Sequence, residues 1–85
     1  MKIATLVLLV SMQGGDGKLS TPEPFQRLNV DAATCAQRGR TIGFEMITVL
    51  AQQRNPTSVV IEYQCIMPTG ELIGREGFYH KGAKG

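Results

Sequence analysis

An apolar run opens this chain: Ile-Ala-Thr-Leu-Val-Leu-Leu-Val at positions 3–10, closed off by Gly14-Gly15-Asp16-Gly17. Two structures suit it. As a β-strand it puts Ala4, Leu6, Leu8 and Val10 on one face and Ile3, Val7 and Leu9 on the other. Such a strand needs cover on both sides and belongs at the centre of a sheet. As a signal peptide, the same run follows Met1 and Lys2 and would be removed with residues 1 to about 15, making the protein secreted or periplasmic. The strand is the preferred reading. The run is short, its flanking positive charge is single, and Met12-Gln13-Gly14 is a poor small-x-small cleavage site. A transmembrane segment is not expected, because crossing a bilayer takes about twenty apolar residues.

The 85 residues suffice for one domain, expected over residues 1–79, with a flexible C-terminal tail at 80–85. A domain of this size buries a modest fraction of its surface, so a covalent staple or a second subunit often supports it. The net charge of +2 is small, and the basic residues (Arg27, Arg38, Arg40, Arg54, Arg75, Lys81, Lys84) are scattered. With two tyrosines, three phenylalanines and no tryptophan, the chain offers no base-stacking platform, so nucleic acid is not an expected partner.

After the glycines, Pro22 and Pro24 keep the chain out of a helix, and Phe25 to Val30 reads as a short strand, placed at an edge by its prolines. Asp31 is a good N-cap for a helix starting at about Ala32. Residues 32, 35, 36, 39, 42, 43, 46 and 50 then form one small or apolar stripe. Gly39 and Gly43 lie on it, which suits a helix axis brought close to a sheet. A rival reading ends the helix near Gly43 and makes Phe44 to Gln52 a strand, given the β-branched Ile47, Thr48 and Val49. The long helix, ending before Asn55-Pro56, is preferred because the stripe runs unbroken through Leu50. Ser58 to Met67 alternates clearly, with Val59, Ile61, Tyr63, Cys65 and Met67 on one face. Beyond Pro68-Thr69-Gly70, Glu71 to Tyr79 is a candidate fourth strand weakened by Gly74 and Gly77.

This order predicts an α+β fold: a three-stranded antiparallel sheet, extended to four if the last segment pairs, in the order 2-1-3, with one long helix on one face. The helix then runs antiparallel to the third strand. Nineteen residues of helix from Cys35 to Arg54 span about 29 Å, and seven of strand from Ser58 to Cys65 about 23 Å, so Cys35 and Cys65 meet. They are candidates for a disulfide in an oxidising compartment, or for two buried thiols in a reducing one.

Chemical motifs are sparse. Gly14-Gly15-Asp16-Gly17-Lys18 after an apolar strand has the look of a phosphate-cradling loop. Leu19, however, stands where a Walker motif needs Ser or Thr, and prolines stand where a helix should begin, so a hairpin loop is expected. His80 is the only histidine and reads as an exposed spectator. Glu45, Glu62, Glu71 and Glu76 lie on separate elements without a pairing signature. Two cysteines and one histidine do not supply a metal site at any familiar spacing. The expectation is a protein that is not an enzyme, with no catalytic residues, no cofactor and no metal.

The apolar start followed by glycines, Phe25, the cysteine-led helix at Cys35 and the Tyr63-Gln64-Cys65 strand give residues 1–68 a layout that resembles a loose group of small phage and prophage β-β-α-β proteins. The chain departs from that pattern after Pro68. The resemblance implies a cytoplasmic accessory protein of a mobile element, one that binds and inhibits a host protein or defence complex. The alternative is the secreted or periplasmic disulfide-stapled protein. A single helix covers one face of the sheet only, so a symmetric homodimer or an apolar binding surface is expected on the other, with Leu72, Ile73, Phe78 and Tyr79 as the candidate interaction surface.

Overall fold

The structure is a computed structural model that describes residues 2–82. β1 (Ile3–Met12), β2 (Glu23–Asp31), the helix α1 (Cys35–Gln52), β3 (Val59–Ile66) and β4 (Leu72–His80) follow in that order. All four strands join one antiparallel sheet in the order β2-β1-β3-β4. The expected 2-1-3 core is thus extended by a full fourth strand. β4 has nine residues, and its glycines have a place: Gly74 lies beneath Ala36 and beside Cys65, where the start of α1 comes down on the sheet.

The central position of β1 follows from its two apolar faces. Ala4, Leu6 and Leu8 are buried with Val30 of β2, Tyr63 and Cys65 of β3, and Cys35 of α1. On the face away from the helix, Val7 is buried between Arg27 and Gln64, while Leu9 is half-buried and Ile3 exposed. The residues that could serve as the apolar run of a signal peptide are therefore the strand that joins the two halves of the sheet.

α1 packs mainly on β3 and β4 and only lightly on β1. Its stripe is real, and the rival strand at Phe44–Gln52 does not form. The helix starts three residues later than expected. The Ala32 amide donates to Lys2 O at 2.8 Å, extending the β1–β2 ladder, and the Asp31 carboxylate accepts from Ala33 N at 3.0 Å in a tight turn before the helix. Thr34 occupies the N-cap position, but its hydroxyl donates back to Asp31 O at 3.3 Å and caps no helix amide. At the other end Asn55 N donates to Leu50 O and Arg54 N to Ala51 O, a Schellman closure with Arg54 at φ 51° in the left-handed region.

Of the residues expected to form a flexible tail, 80–85, the first three are tied to the sheet. His80 pairs with Val59 as the last residue of β4, and Gly82 N donates to Ser58 Oγ at 2.8 Å. Residues 83–85 lie outside the described residues. Among the described residues no helix is long and apolar enough to cross a membrane.

Candidate functional site

Because α1 leans toward β3 and β4, its C-terminal half does not close over the far end of β1. An apolar groove of about 520 Å³ opens there. Met46, Val49 and Leu50 form one wall, Val10, Met12, Val59 and Ile61 the floor, and Glu45, Asn55 and Thr57 the rim. Val49 is 47% and Met12 52% exposed, although both side chains are apolar. The groove can take up apolar side chains, and the two flexible thioethers allow its walls to adapt in shape.

Each residue singled out in the sequence has a definite place. Cys35 and Cys65 form a disulfide with Cα atoms 6.1 Å apart, both fully buried, tying the first turn of α1 to β3. The four residues of the expected interaction surface do not come together. Phe78 points under α1 against Gly43, Tyr79 lies on the open sheet face, and Leu72 and Ile73 sit at the opposite end of β4 beside an irregularity in its pairing with β3. Strand alternation alone separates Phe78 from Tyr79. Nor does β4 fold across the open face. It extends the sheet, and that face carries a polar cluster in which Arg75 donates to Glu62 Oε1 at 3.2 Å and Gln64 Nε2 to Glu62 Oε2 at 2.7 Å.

His80 is buried rather than an exposed spectator, with Nε2 at 3.0 Å from Asn55 O, and so pins the end of β4 to the loop after α1. Glu76 faces the helix side, where its Oε1 accepts from Arg40 Nε at 3.0 Å and from Tyr63 O–H at 3.4 Å. The hydrogen bond to Glu76, and then its charge, raise the Arg40 guanidinium above its ordinary pKa. The glycine loop closes on itself: Gly14 N donates to Lys18 O, Gly17 N to Gly14 O, and Asp16 Oδ1 accepts from Lys18 N. Its amides hold the hairpin end together instead of converging on an anion. Among the described residues no three His, Cys, Asp or Glu side chains gather as metal ligands would.

Sequence reasoning missed the groove. Its one sequence signal is Val49, an apolar residue beside the stripe, next to Met46 and Leu50 at the end of the stripe itself. Comparison with protein-family models, curated proteins and solved structures finds no match to this chain.

Proposed function

We propose that this chain is a non-catalytic binding protein that holds a protein partner through the groove between the C-terminal half of α1 and the β1–β3 end of the sheet. The observation that carries this reading is the groove itself: seven of its ten lining residues are apolar, and two of them, Met12 and Val49, are about half exposed. Exposed apolar concavities of this kind are where soluble proteins dock partners. The likeness of residues 1–68 to small phage and prophage proteins supplies the partner class, a host protein or defence complex inhibited by occlusion in the bacterial cytoplasm. A second copy of the chain is a further proposed partner.

The test compares the wild-type chain with Val49→Glu as bait in an extract of the native host. The wild-type chain retains a specific protein, and Val49→Glu, with an unchanged melting temperature, loses it. An identical set of captured proteins for both baits would overturn the reading.

One observation favours the second reading, a periplasmic or secreted protein: the Cys35–Cys65 disulfide, since such bonds persist mainly in oxidising compartments. Cleavage at about residue 15 would remove β1 and with it the junction of the sheet, so on this fold export keeps β1. Fractionation of the native host separates the compartments, and the mass of the purified protein tests cleavage. Loss of fourteen to seventeen residues establishes a cleaved signal peptide, and the unshortened mass refutes one.

A further inference from the structure

The sheet is open at both edges, and the edges differ. β2 begins behind Pro22 and contains Pro24, and proline guards an edge because it offers no amide for further pairing. β4 contains no proline over its nine residues. The direction of its free groups follows from the ladder. Gln13 N donates to Ser58 O, so the even-numbered residues of β3 bond to β1 and its odd-numbered residues to β4. Val59, Ile61, Tyr63 and Cys65 therefore exchange bonds with His80, Phe78, Glu76 and Gly74. The N–H and C=O groups of Arg75, Gly77 and Tyr79 point out of the sheet, and all three residues are exposed.

We propose that a second copy of this chain pairs antiparallel with the β4 edge, about a two-fold axis at Gly77, to form one continuous eight-stranded sheet. This proposal does not rest on the groove or on what occupies it.

Charge selects the register. Centring the pair on Arg75 opposes that residue to its own copy, and centring on Glu76 does the same for the carboxylate. Centring on Phe78 sets Arg75 against Lys81 of the second copy. Like charges directly opposite one another disfavour strand pairing. Centring on Gly77 opposes Arg75 to Tyr79 of the second copy at two symmetric places, a guanidinium beside an aromatic ring. It also places Gly77 opposite itself, where no side chains collide. Arg75 keeps its bond to Glu62 in this arrangement, because both lie on the same face.

The helices supply an independent argument. α1 sits over β3 and β4, with Gly39 against Tyr63 and Gly43 against Phe78. With neighbouring strands about 4.8 Å apart, pairing through β4 brings the two copies of α1 about 10 Å apart, at the upper end of the 8–10 Å range for packed helices. The flank of α1 turned to that gap carries Arg40, bonded to Glu76, and Phe44, a large apolar side chain that is 62% exposed in the single chain. The second helix is its cover.

The experiment is light scattering on the full chain, with its disulfide intact, over a wide concentration range. The expected mass rises to twice the 9.2 kDa of one chain. Gly77→Pro removes one outward N–H while leaving the β3–β4 bonds in place, and is expected to weaken association at least tenfold. Arg27→Pro, which removes an outward N–H from the β2 edge, leaves association unchanged. In the paired register the two Gly77 Cα atoms lie about 5.5 Å apart. That is too wide at Cβ for an unstrained direct disulfide but within reach of a short, reducible bifunctional thiol reagent, which is added to the Gly77→Cys chain. Gly77→Cys is therefore expected to form a dimer that survives denaturant and separates only on reduction. A monomer at every concentration, an unaltered dimer of folded Gly77→Pro, or a Gly77→Cys chain that does not cross-link would each overturn the proposal. Should Gly77→Pro not fold, the cross-link decides.

Discussion

A Cβ atom at Gly39 would stand 2.6 Å from Tyr63 Cδ1, and one at Gly43 2.7 Å from the Phe78 ring. Both distances are too short for carbon atoms, so the absence of a side chain is what sets the depth at which α1 seats on the sheet. In an exposed helix Gly→Ala gains roughly 1 kcal/mol, whereas here Gly39→Ala forces the helix or the Tyr63 ring to move, and overpacking of this kind costs about 1–3 kcal/mol. Arg54 is the opposite case. It holds the left-handed position at the end of α1 that glycine fills without strain, and its side chain is exposed. Arg54→Gly is therefore expected to stabilise the fold by about 1 kcal/mol, a rise of about 4–8 °C in melting temperature for a domain of this size. Thermal melts of the two variants should move in opposite directions. Movement in the same direction would refute this account of the glycine positions.

β1 is the element on which the others depend. It is hydrogen-bonded on both sides, and its residues Leu6 and Leu8 are fully buried. Leu8→Asp would force a carboxylate to lose its hydration without a partner; the expected outcome is a chain with no cooperative unfolding transition and a random-coil circular dichroism spectrum. A chain lacking residues 1–11 that still folded as a monomer would contradict this role. β1, β3 and most of α1 are legible in the sequence, because Ile3–Val10 is apolar on both faces, Val59–Met67 alternates, and the helical stripe runs through Leu50. The helix start was misread because Asp31 caps a turn rather than the helix, and nothing in Asp31-Ala32-Ala33-Thr34 distinguishes the two uses. β4 was undervalued because Gly74 looks like a defect in a strand until the start of α1 is seen above it.

At the scale of the whole molecule, the disulfide closes a loop of thirty residues that holds α1 to β3. In the chain-entropy account a loop of that length contributes about 3–4 kcal/mol. A Cys35→Ala, Cys65→Ala double variant should lose a comparable amount in urea denaturation, and a loss below about 1 kcal/mol would show that burial alone stabilises this contact. The meeting of the cysteines could be reasoned from element lengths, since an antiparallel helix and strand of similar span bring their far ends together. The groove could not. It depends on how far α1 leans toward β4, an angle set by the contacts of Gly39 and Gly43 with rings on two different strands. The separation of Phe78 from Tyr79, by contrast, was already implied by alternation. The position of β1 also sets the order of events at the ribosome. The most apolar strand ends at Met12, yet its partner β3 begins only at Val59. Everything between them must be synthesised before β1 is paired on both sides, so the nascent chain presents a sticky segment over that stretch of elongation. Slow translation or a stalled message should favour aggregation of this protein over folding.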